Sequence, residues 1–135
     1  MKKSIFLFLF LLAFGATAQL NPAITNWLIN TDGTTGRHYI QGNSTPIVDA
    51  VLANVQQVQY STNWVYVSTT GVPSYITGPF LDGNPSLTTN QNAIFKISLN
   101  PTMNAGAGTA TTGGNIGIFI NGTAMFDYRD GVAWN

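Results

Sequence analysis

Cysteine is absent from the 135-residue chain, so disulfides contribute nothing to its stability, even in an oxidising compartment. Glutamate is absent as well, and charged residues make up only 7% of the sequence. Beyond Lys2 and Lys3, the basic residues are Arg37, Lys96 and Arg129, against Asp32, Asp49, Asp82, Asp127 and Asp130. Charge this sparse creates no long-range field to gather phosphate backbones, which argues against nucleic-acid binding. The single histidine, His38, has no sequence-visible partner and reads as an exposed or hydrogen-bonded structural residue. There is no Gly-x-Ser-x-Gly elbow around a nucleophile, and no Gly-Lys-Ser/Thr follows the glycine-rich stretch. Asp127 and Asp130 flank Tyr128-Arg129 and read as a local turn or salt bridge rather than an acid/base pair. Asp82-Gly83-Asn84 lacks the repeated acidic ligands of a calcium loop and reads as an Asx-turn. No catalytic constellation is visible, and no cofactor can be named.

What is present begins with an export signal. Lys2 and Lys3 precede an apolar run from Ile5 to Phe14, then Gly15 and the small-residue pattern Ala16-Thr17-Ala18. A basic start, a short apolar core and an A-x-A site are the parts of a secretory signal peptide over residues 1–18. The apolar run falls short of the roughly 20 residues that cross a hydrocarbon layer. The expected product is a secreted, periplasmic or cell-surface protein with no stable membrane span after cleavage. Residues 19–135 then suit one domain with its own core, and are too few for two.

The remainder is patterned for strands. Ile24 to Ile29, with Trp27 and branched residues between Pro22 and Asp32-Gly33, reads as a first strand. Asp32 to Gly36 reads as a turn or short loop. Ile47 to Val55 is ambiguous, because Val48, Val51, Leu52 and Val55 fall at helical spacing while valine favours strands; strand is preferred. Val55–Tyr60 and Trp64–Val67 read as neighbours joined at Thr62-Asn63. Pro73, Gly78-Pro79, Gly83 and Pro85 punctuate a long section shaped by turns. Ala93 to Leu99 alternates strictly, and Phe95, Ile97 and Leu99 should face the core because Lys96 needs water. Thr102 to Asn115 is nearly all Gly, Ala and Thr and reads as a surface loop. Ile116–Ile120, Asn121-Gly122 and Thr123–Phe126 form a β-hairpin signature, with Asn-Gly suited to a type I′ turn. The expected fold is mainly β, an antiparallel sandwich or open barrel with long Gly/Pro-rich loops.

The order and spacing of several of these pieces resemble a known family. They are Gly71-Val72-Pro73-Ser74-Tyr75, Gly78-Pro79, Asn84-Pro85, Gln91-Asn92 before a strand, and the Ile116-Gly-Ile-Phe-Ile-Asn-Gly122 hairpin leading into Asp127. From Trp27 onward the chain resembles the first half of the YHYH domain family of exported proteins. The Tyr-His-Tyr-His cluster that names the family lies further toward the C-terminus and does not occur before Asn135. The resemblance therefore implies the N-terminal part of a larger unit. Clustered imidazoles in that later region would suit transition-metal binding, but His38 lies outside it and no metal-ligand role is carried over.

The residues present favour binding over catalysis. Trp64 and Tyr66 share one face of their strand, and Val65 and Val67 share the other. Buried aromatic area stabilises small domains, which favours placing the aromatics in the core. With the valines inward instead, Trp64 and Tyr66 become an exposed ligand-binding platform able to stack on sugar rings. The leading expectation is an extracellular or cell-surface binding module with a glycan or cell-surface partner. The alternatives are a metal-dependent protein with ligands further along, and an assembly domain that self-associates through strand edges near Ile116 to Phe126.

Overall fold

The computed structural model describes residues 20–79, 87–111 and 113–128. Residues 1–18, read as a signal peptide, the segment Asp82-Gly83-Asn84-Pro85, read as a turn, and Arg129 and Asp130 lie outside the described residues.

The fold is mainly β, built from three small sheets in an open, sandwich-like arrangement rather than a closed barrel. After a short helix α1 (Pro22–Thr25) come β1 (Thr35–His38), β2 (Ile47–Leu52), β3 (Val55–Tyr60) and β4 (Trp64–Thr69). They are followed by β5 (Ile76–Thr77), β6 (Ala93–Ser98), β7 (Asn115–Ile118) and β8 (Ala124–Phe126). The first sheet has the order β2-β1-β5, the central sheet β3-β4-β6, and β7-β8 stands as a hairpin. Most pairings are antiparallel; β1 with β5, and the isolated bridge Ile29 to Val55, are parallel.

The expected first strand is replaced by α1. Asn21 caps it, its side-chain oxygen accepting from the Ala23 N–H at 2.9 Å, and Pro22 occupies the first turn. A capping residue followed by proline is a helix start that outweighs the branched residues after it. Ile29 keeps only its bridge to Val55. The Asp32–Gly36 segment is a loop only to Thr34, and strand β1 begins at Thr35. Asp32 accepts the Thr34 N–H at 2.9 Å, and that hydrogen bond holds its carboxyl below the ordinary value. Gly36 lies inside β1 because a Cβ there would approach Val72 and sit 2.9 Å from the Asp49 carboxylate.

Ile47 to Tyr60 resolves as two strands in two sheets. The break is Ala53-Asn54, where Asn54 takes a positive φ of 67° and is buried. Asparagine tolerates this left-handed conformation better than most side chains. Its side-chain oxygen accepts from the Ser74 N–H at 3.1 Å, and its backbone N–H donates to the Val72 carbonyl at 2.7 Å. The β3–β4 hairpin forms as expected, with Val58 opposite Val67 and Tyr60 opposite Val65.

The core sits on one face of the central sheet. Val55, Val65 and Val67 are fully buried, and Val58, Phe95, Ile97 and Leu99 extend their face. Ala23 and Ile24 of α1, Trp27 and Ile118 of β7 cover it. The Phe95 face is thus turned inward and Lys96 outward, as alternation requires. Trp27 joins this core with its indole N–H donating to the Ala23 carbonyl at 2.6 Å.

The last hairpin forms, but with a different turn. The Gly122 N–H donates to the Phe119 carbonyl, and the Phe119 N–H donates to the Thr123 carbonyl. Gly122 has φ +83°, whereas Asn121 is not in the left-handed region. That pattern is a three-residue loop closed by a left-handed glycine, not the two-residue type I′ turn. Tertiary contact supplies the reason. Thr69 of the central sheet, buried, brings its hydroxyl within 3.2 Å of the Gly122 carbonyl and 3.1 Å of the Asn54 carbonyl. The same oxygen accepts the Gly71 N–H at 3.0 Å, so one side chain ties together the sheet switch, the end of β4 and the hairpin.

Candidate functional site: the outer face of the central sheet

Because Val65 and Val67 point inward, their neighbours Trp64 and Tyr66 lie on the outer face. This corrects the preference for placing the two aromatics in the core. The core is built from valine on β3 and β4, and its aromatic bulk comes from Trp27 and Phe95. Trp64 is 37% exposed and Tyr66 is half-buried.

Cross-strand register fills in the rest of the face. Tyr66 stands between Gln59 on β3 and Lys96 on β6, and Ser68 between Gln57 and Ile94, while Ser98 pairs with Trp64. The Lys96 ammonium sits 4.1 Å from the centroid of the Trp64 ring, in cation–π range. Ile94, 69% exposed, is an apolar side chain presented to solvent. The surface therefore combines two aromatic rings, one aliphatic group, two amides, two serine hydroxyls and one cation, without an acidic group on these strands.

At its Ser68–Ile94 end the face runs into a cleft of ≈410 Å³, bounded by Ala50 and Leu52 of β2 and by Gln56 and Asn92. The aromatic face thus continues into a groove with no charged side chain among its described lining residues. Such an arrangement can stack on apolar ring faces while amides and hydroxyls exchange hydrogen bonds with hydroxyl groups.

Sequence reasoning found Trp64 and Tyr66 but missed their company. Lys96 and Ile94 reach the aromatics only through the β4–β6 register, and the turn-rich sequence between β4 and β6 conceals which strand pairs with β4. The Trp64 ring under Lys96 is also less open than a bare platform, so a ligand on that ring must share it with the ammonium or displace it.

His38 has the partner that the sequence did not reveal. Its Nδ1 lies 2.7 Å from Oδ1 of Asp49 on the paired strand, and the His38 side chain is only 6% exposed. The contact is short but poorly aligned as a hydrogen bond, and the other Asp49 oxygen, Oδ2, finds no donor. The histidine is buried rather than exposed. A signal existed in the β1–β2 alternation, since His38 pairs with Ile47, and Asp49, two residues further along β2, shares the face of Ile47. A carboxylate against an imidazole can orient it for proton transfer. No nucleophile among the described hydrogen bonds joins this pair, which ties β1 to β2.

Among the described residues, no three potential metal ligands come together, and no helix is long and apolar enough to cross a membrane. Compared with protein-family models, with curated proteins and with solved structures, the chain matches none.

Proposed function

We propose that this chain is an exported, YHYH-like binding module that engages a glycan on the outer face of its central sheet. The observation that carries the reading is the full burial of Val65 and Val67, which turns Trp64 and Tyr66 to the surface beside exposed amides. The basic-apolar-small pattern of residues 1–18 supports export. Sugars present apolar ring faces edged by hydroxyls, and aromatic rings flanked by amides and hydroxyls complement both. Electrophoresis through native gels containing dissolved neutral or uronate-bearing polysaccharides tests the proposal. The mature domain should be retarded by at least one, and Trp64→Ala and Tyr66→Ala should migrate freely while still unfolding cooperatively. Retardation that survives both substitutions would remove the outer face from the account.

A second reading, assembly with another copy, draws on the β7–β8 hairpin. Among the described residues it pairs with no other strand, and Ile116, Ile120 and Phe126 are all exposed. Unpaired strand edges with apolar side chains invite pairing. A sedimentation profile that stays monomeric across a wide concentration range would remove it.

A further inference from the structure

The opposite side of the central sheet carries a second concavity that the proposal above does not use. A cleft of ≈670 Å³ opens between β6 and the β7–β8 hairpin. Its volume lies within the ~300–1,000 Å³ usual for small-molecule sites. Phe95, Phe126 and Leu87 give it apolar walls, and Thr88, Gln91 and Thr123 give it hydroxyl and amide groups. Among the described residues, no charged side chain lines it.

Two of these groups have unmet bonding capacity. The hydroxyls of Thr88 and Thr123 are buried and find no hydrogen-bond partner. A hydroxyl withdrawn from water normally finds a partner in the protein, and an exception calls for an explanation. Here both orphans belong to residues lining the same cleft, from two separate segments of the chain. Meanwhile Phe126, 66% exposed, holds a large apolar ring at the hairpin's edge where packing alone does not require it.

We infer that this cleft is a binding site for an uncharged, polyhydroxylated ring of the pyranose class. A pyranose offers an apolar ring face to Phe126 and Phe95, a hydroxyl to the Gln91 side-chain oxygen, whose amide N–H groups already donate to Thr89, and hydroxyls to the two threonines once their side chains turn toward the cleft. The uncharged lining gives no counter-ion to a phosphate, carboxylate or amine, so charged small molecules are disfavoured. The site is independent of the outer face, because Phe95 and Trp64 project from opposite faces of the sheet.

Titration calorimetry of the mature domain with methyl β-D-glucopyranoside and methyl β-D-galactopyranoside tests the inference. At least one should bind, with a dissociation constant on the order of 1 mM. Phe126→Ala, at an exposed position, should weaken binding about tenfold. Thr123→Val keeps the shape and removes the orphan hydroxyl. It should weaken binding severalfold while leaving the melting temperature equal or higher, a combination that a purely structural role for Thr123 does not give. Trp64→Ala should leave the titration unchanged, which separates this site from the outer face. The inference is overturned if neither glycoside binds, if binding survives both cleft substitutions, or if Trp64→Ala alone abolishes it.

Discussion

Gly122→Ala tests how the terminal hairpin is held against the rest of the fold. Gly122 has φ +83°, a conformation that costs an L-residue about 1–2 kcal/mol. It also approaches the sheet closely. A Cβ would overlap the Thr69 hydroxyl, come 2.7 Å from the Thr69 Cβ and 3.1 Å from a Val55 methyl. Neither neighbour can give way easily, since Val55 is fully buried and the Thr69 hydroxyl accepts from the Gly71 N–H while its one proton is shared between the Asn54 and Gly122 carbonyls. Overpacking of this kind adds about 1–3 kcal/mol, for a total loss of roughly 2–5 kcal/mol. Gly33→Ala is the matched control, because Gly33 has φ +77° with nothing within 4 Å of the added carbon. It should lose only the backbone part, about 1–2 kcal/mol. Urea unfolding of both variants, with unchanged slopes, measures the difference. Equal losses at the two glycines would refute the docking of the hairpin on Thr69.

Thr69→Val should cost about 1–3 kcal/mol in the same assay, because the Asn54 and Gly122 carbonyls and the Gly71 N–H lose a shared partner. Val67→Ala should cost about 2 kcal/mol through lost burial and a residual cavity, whereas Lys96→Gln on the outer face should cost no more than about 1 kcal/mol. Asp32 has its carboxyl pKa lowered by the Thr34 N–H, so its contribution is present above the unfolded carboxylate value and is lost as pH falls through the lowered folded value. Asp32→Asn should flatten that part of an acid-unfolding curve and leave the neutral part nearly unchanged, the effect being small at so exposed a site.

Local patterning made the strands legible and left the joints obscure. β4 and β6 followed from alternation, since a lysine between Phe95 and Ile97 fixes which face meets water. The β3–β4 hairpin followed from two β-rich runs separated by a short polar turn. The entry helix was misread because Asn21-Pro22 spoke for a helix over a span too short to show periodicity. The Asn121-Gly122 turn was misread because its type is selected by the Thr69 contact, which lies far away in sequence. The same limit governed the candidate site. Alternation placed Trp64 and Tyr66 together but could not say which face was buried. The large aromatic area argued for the core, yet Trp27 and Phe95 had already filled it. Register then brought Lys96 to Trp64 and Asp49 to His38, and long-range register is the information a single sequence carries least well.

The most direct test of the outer-face reading is backbone amide chemical-shift mapping with an oligosaccharide cut from a retarding polysaccharide. The account predicts shifts concentrated at Gln59, Trp64, Tyr66, Ile94 and Lys96, with the indole N–H of Trp64 moving and that of Trp27 unaffected. Shifts confined to other surfaces, with the Trp64 and Tyr66 signals unmoved at saturation, would contradict it.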